Sequence, residues 1–148
     1  LDRAGTTNTD CLKKKIREII LLPQLFPPAT TLYVGLFTSA PGLSAAAAGT
    51  EVVQNAATAY ARVAIPCTTA DWDGPIGVDM QYKNKKDLVF PVPGTQSWGS
   101  IVAGGIFDAA TGGNLLWVTN IATTKTITAG DGAPKIAAGE LVIQRATC

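Results

Sequence analysis

From Thr31 onward the sequence breaks into short extended runs separated by Gly, Pro, Asn and Asp, and this punctuation most constrains the fold. In Thr31–Thr38 (TLYVGLFT), Leu32, Val34 and Leu36 alternate with Tyr33, Gly35 and Phe37, so each set faces one side of a strand. Neither set is polar enough for open solvent, which indicates cover on both faces. Further extended runs are Tyr60–Ile65, Leu88–Val92, Gly99–Phe107, Leu115–Asn120, Thr124–Thr128, Ala133–Ala137 and Glu140–Gln144. Turn signals separate them at Ser39–Gly42, Thr111–Asn114 and Ala129–Gly132. Gly104-Gly105 marks a bulge or a close backbone approach inside one run. About eight short strands with turns at this spacing predict a mainly β chain. The expectation is one domain over residues 1–148, an antiparallel β-sandwich of jelly-roll-like topology.

One segment keeps a different period. Asp10 can cap a helix, and Leu12, Ile16, Ile19 and Ile20 then fall on a single helical face. Pro23, Pro27 and Pro28 stop it. An N-terminal α-helix is therefore expected within residues 10–26, which include its linker, after a flexible arm over 1–9. Residues 66–87 are polar and read as a long loop or insertion, with at most a short strand at Ile76–Tyr82. The longest aliphatic run, Ile19–Leu22, falls far short of the roughly 20 residues that cross a bilayer. Arg17 and Glu18 also interrupt that region, so neither a signal peptide nor a membrane span is expected.

Composition narrows the function. The chain is 47% hydrophobic and 16% charged, against about 25% charged in ordinary soluble domains. Disorder needs the opposite balance. A net charge of +1 offers little field for phosphate-driven nucleic-acid binding. With no histidine, Ser–His and Cys–His nucleophile pairs and imidazole metal ligands are excluded. Cys11, Cys67 and Cys148 have no metal or redox spacing and read as free thiols. Asp71 and Asp73 open like a calcium loop, but Pro75 takes the next ligand position and no Glu closes it. As a catalytic pair they would need desolvation, which a polar loop does not offer. No enzymatic activity, cofactor or metal is expected.

Residues 88–124 contain one charged residue, Asp108. A half-exposed sheet normally carries charges on its outer face, so these strands should be buried on both sides, within the domain or against other subunits. Large homomeric interfaces resemble domain cores, which makes a homo-oligomer the expectation. Trp98 and Trp117 sit beside apolar runs and read as core. Candidate contact residues are Trp72 and Tyr82 in the 66–87 segment, Lys13, Lys14 and Arg17 on the helix, and Arg145. Lys83, Lys85 and Lys86 read as solvated.

Several blocks together carry a resemblance: Thr31–Gly42 (TLYVGLFTSAPG), Gly49–Val52 (GTEV), Tyr60–Arg62 (YAR), Phe90–Gly113 (FPVPGTQSWGSIVAGGIFDAATGG) and Thr124–Val142. The chain resembles a family of tailed-phage virion proteins variously described as tail fibre, minor structural or capsid cement (decoration) proteins. The resemblance implies a virion structural protein with no catalytic residues. The leading expectation is a capsid cement protein on the capsid exterior, bound to the major capsid protein and to itself, with no direct nucleic-acid or membrane contact. The alternatives are a tail-associated structural protein and a carbohydrate-binding β-sandwich module. Residues 66–87 depart from the short Gly/Ser/Asn-rich connection of the family.

Overall fold

The computed structural model describes residues 29–42, 49–77 and 81–143. Ten strands follow in order: β1 (Thr31–Ser39), β2 (Thr50–Glu51), β3 (Val63–Pro66), β4 (Trp72–Ile76), β5 (Gln81–Asn84), β6 (Leu88–Val89), β7 (Gly99–Phe107), β8 (Leu115–Ile127), β9 (Lys135–Ile136) and β10 (Val142–Ile143). Every pairing is antiparallel. The helix expected within residues 10–26 lies outside the described residues, among which there is no helix.

β1 is the spine of a five-stranded sheet. Tyr, Val, Phe and Thr favour the pleated backbone there. Its first half pairs with β3, from Thr31↔Pro66 to Val34↔Val63, and its second half pairs with β2 through Phe37↔Glu51 and Ser39↔Thr50. Those two short strands share one edge of β1. β7 takes the other edge, from Tyr33↔Phe107 to Phe37↔Ala103, and β8 follows β7 at the end of the sheet. A three-stranded sheet in the order β10-β5-β4 and a β6–β9 ribbon complete the described chain.

The main apolar core lies on one side of the large sheet. Val34, Leu36, Ile101, Ile106 and Ile127 from β1, β7 and β8 meet Leu88, Phe90, Trp98 and Leu141. A T-shaped contact sets Tyr60 against Trp98 at 5.1 Å between ring centroids. A second cluster holds Phe37, Ala103 and Phe107, with Phe37 and Phe107 stacked at 5.9 Å. β7 and β8 fall out of step between Ile101 and Ala103, and across this irregularity Ile101 joins the first cluster and Ala103 the second. The centre of the sheet is thus covered on both sides, as the charge-poor sequence requires.

Two expectations need correction. Leu115–Asn120 and Thr124–Thr128 are not separate strands; β8 runs through both. Ala103 pairs with Asn120 and Ile101 with Lys125, so residues 121–124 form a wide bulge opposite Val102 alone. The 66–87 segment is not a loop but holds β4 and β5, with β10 added at the side. Its polar residues reflect an outward-facing sheet: four of the five β4 residues are exposed. Of the two readings of Gly104-Gly105, the close approach is the one observed: a Cβ at Gly105 would lie 2.7 Å from both Phe37 and Leu115 side chains.

Candidate functional site

Within the large sheet the charges are used in a clasp. The Arg62 side chain is 5% exposed. Its Nε and Nη2 donate to the two Glu51 carboxylate oxygens at 2.8 and 2.7 Å, a fork that only guanidinium supplies. Nη1 donates to the carbonyls of Ala109 and Gly112 at 2.7 and 2.8 Å. The guanidinium carbon stands 3.3 Å from the Phe107 ring centroid. Tyr60 Oη donates to Glu51 at 3.1 Å and accepts the Leu36 N–H at 2.7 Å. Burial, reinforced by the Glu51 charge, holds the Tyr60 hydroxyl far above its ordinary pKa. Gly35 makes room: a Cβ there would lie 2.8 Å from Phe107 Cε2 and 2.9 Å from Glu51 Oε1.

The clasp fixes the β7–β8 connection. Asp108, the one charged residue of the 88–124 stretch, closes that loop on Asn114. Its Oδ1 accepts the Asn114 N–H at 2.7 Å and its Oδ2 accepts Asn114 Nδ2 at 2.9 Å. Ala110–Gly113 between them are exposed. The blocks GTEV and YAR and the FDAATGG end of the Phe90–Gly113 block therefore meet in one place. Sequence reading gave Glu51 and Arg62 no role. Their signal was the isolation of two opposite charges inside apolar runs, but half of Arg62's partners are carbonyls, which no residue type announces.

The expected contact residues are divided. Trp72, on β4, is half-buried and packs against the main core, as does Trp117, while Trp98 is buried outright with Nε1 donating to Thr58 O at 2.7 Å. Tyr82, on β5, is 38% exposed and lies across Gly74 on the neighbouring strand. Lys13, Lys14, Arg17 and Arg145 lie outside the described residues. Lys86 is paired with Asp71 at 2.8 Å, and Lys85 donates to Thr69 O at 2.8 Å. The hydrogen bonds from Lys86 and then Thr68 hold the Asp71 carboxyl below its ordinary pKa, so this acid is engaged in its turn. Among the described residues no group of three His, Cys, Asp or Glu could hold a metal. Cys67 is an exposed thiol whose pKa burial raises, the opposite of an activated thiolate.

Buried Asn84 stitches the smaller sheet to the strand that follows. Its Nδ2 donates to Lys86 O and Ala137 O at 2.8 and 2.9 Å, and its Oδ1 accepts the Leu141 N–H at 2.9 Å. Between this layer and the inner face of β8 a cleft of about 870 Å³ opens. Ile106, Trp117 and Ile121 line one wall; Ile136, Leu141 and Ile143 line the other. The cleft is mainly apolar and has the size of a ligand pocket, with Gln81, Lys125, Lys135 and Glu140 among its lining residues.

A family model described as podophage GP4 fiber I protein gp80 matches residues 7–144. The chain belongs to this family. It is accordingly a member of a tailed-phage virion structural family, as the sequence blocks indicate. No curated protein matches the chain. Within this gp80-type chain, the match takes in every described strand and the whole clasp. Among the described residues no helix is long and apolar enough to cross a membrane.

Proposed function

We propose that this chain is a structural component of a podophage tail fibre, acting through assembly and surface contact and not through catalysis. The observation that carries the reading is the family match, which spans nearly the whole chain and bears the description of a fibre protein. That description favours the tail-associated alternative over the capsid cement role that leads on sequence alone. The architecture behind the reading is a mainly β, antiparallel fold whose large sheet meets the smaller strands across the main core. Its partners would be other tail proteins and further copies of itself. A carbohydrate-stacking platform gains little support, because Trp98 is in the core and Trp72 and Trp117 pack against it.

Copy number is the discriminating test. Quantitative mass spectrometry of purified virions should give this chain the stoichiometry of a tail component relative to the major capsid protein. A ratio near that of the shell lattice would return the cement reading.

A further inference from the structure

We propose that the cleft between the large sheet and the smaller strands is filled by this chain's own residues 10–22, docked there as an amphipathic helix. Docking of this kind does not depend on where the chain sits on the virion. One wall of the cleft carries Val34, Ile106 and Trp117, and the other carries Ile136 and Ile143. Ile121 and Val142, also in the lining, leave 40% and 38% of their surface open. Apolar surface left in water is unfavourable, and a large apolar groove marks a place where something docks.

The sequence contains a segment of matching shape. Leu12, Ile16, Ile19 and Ile20 share one helical face, and Lys13, Lys14 and Arg17 lie off it. A helix this short is marginal in water on its own, so its apolar stripe needs a surface to cover. The stripe from Leu12 to Ile20 is about 12 Å long as a helix. The cleft follows β7 from Ile101 to Ile106, about 17 Å of strand, so the stripe fits within it. The family match begins at residue 7, which puts this segment in the same family unit as the cleft.

The connection to β1 sets both the reach and the direction. β1 starts at Thr31, just beyond the row in which Val34 pairs with Ile106 and Ile106 with Trp117. The chain therefore enters the large sheet at the Trp117 end of the cleft. Residues 23–28 join the segment to the first described residue and can span about 20 Å. Trp117 is two strands from β1, about 10 Å away, and a layer packed on a sheet sits about 10 Å above it, so the link is long enough. The helix then runs with its C-terminal end at Trp117 and its N-terminal end toward Lys125, which pairs with Ile101, and Lys135. Asp10 arrives beside these two lysines, and Glu140 in the lining gives the basic flank of the helix an acid. So short a tether holds the segment at an effective concentration of about millimolar, an advantage that neither a second copy nor a free ligand has.

The test uses the full-length chain. In hydroxyl-radical footprinting, Trp117 and Ile121 should be protected in the native chain and react several-fold faster in Ile16→Asp/Ile20→Asp. Buried Trp98 should stay unchanged and report that the fold persists. If Trp98 also reacts faster, the variant has unfolded and cross-linking of the native chain decides. There a lysine-reactive linker should join Lys13, Lys14 or Lys15 to Lys125 or Lys135. With light and heavy-nitrogen chains refolded together, the joined peptides should be all light or all heavy. Mixed pairs would overturn the proposal by giving the cleft to the helix of a second copy, and the absence of these cross-links would overturn it as well. So would equal reaction of Trp117 in the native chain and a folded variant: protection in both assigns the cleft to a bound apolar ligand, and reaction in both leaves it open.

Discussion

Arg62 ties β2, the β7–β8 loop and the Phe107 ring together through one side chain. Arg62→Ala removes two bonds to Glu51, two to loop carbonyls and the stacking on Phe107. Breaking a buried ion pair by removing one partner costs about 3–5 kcal/mol. Glu51 keeps 20% of its side-chain surface in water, which limits its stranding, so the lower end, about 3 kcal/mol, is expected. Arg62→Lys keeps the charge but loses the fork. An ammonium cannot serve both carboxylate oxygens and both carbonyls, and hydrogen bonds to charged groups contribute about 1.5–3 kcal/mol each. A loss of about 2 kcal/mol is expected there. In urea, where a small domain loses about 1–3 kcal/mol per molar, the alanine variant should unfold roughly 1–3 M earlier. A cycle with Glu51→Ala should show strong coupling, the double variant costing clearly less than the sum of the two. Additive losses, or an Arg62→Ala cost under about 1 kcal/mol, would refute the clasp as a structural unit.

Other consequences can be measured on the same protein. Gly35→Ala should cost about 1–3 kcal/mol by pushing a methyl group onto Phe107 and Glu51, and much less in an Arg62→Ala background where the clasp is already open. Tyr60 has a folded pKa raised by burial, so the unfolded chain gives up this proton first; its contribution is complete below about pH 10 and is lost as pH rises beyond it. Tyr60→Phe should therefore be less stable at neutral pH, by about 1–3 kcal/mol for the orphaned Leu36 N–H, and the gap between the two proteins should close in alkaline urea titrations. Asn84→Ala strands the buried Leu141 N–H and frees two part-buried carbonyls, and should cost about 1–3 kcal/mol, with faster amide exchange at Leu141 than at Leu36. Acid titration should show Asp131, held low by the Thr128 N–H, contributing above about pH 4 and losing that contribution as pH falls below it, a loss absent in Asp131→Asn.

The interior strands are legible because their physics is local. β1 and β7 alternate apolar and small residues, and Gly35 and Gly105 mark places where side chains of neighbouring strands come too close for a Cβ. β8 was split in the reading because its bulge is a long-range event: residues 121–124 buckle opposite Val102, and nothing within the strand announces the slip. The 66–87 hairpin was hidden for the opposite reason. Asp73, Gly74 and Pro75 look like loop residues, and they are tolerated in β4 because that strand is exposed and at the edge of its sheet. Trp72 reads as a contact residue from its polar neighbours alone. On β4 its ring has a core to pack on. The partners of Arg62 were illegible because two are carbonyls more than forty residues away.

The central claim is the place of this chain on the virion. Gold-labelled antibody against the chain, imaged on intact particles by electron microscopy, tests it most directly. Label confined to the tail, and absent after tail removal, is the predicted result. Label spread evenly over the capsid faces would contradict it.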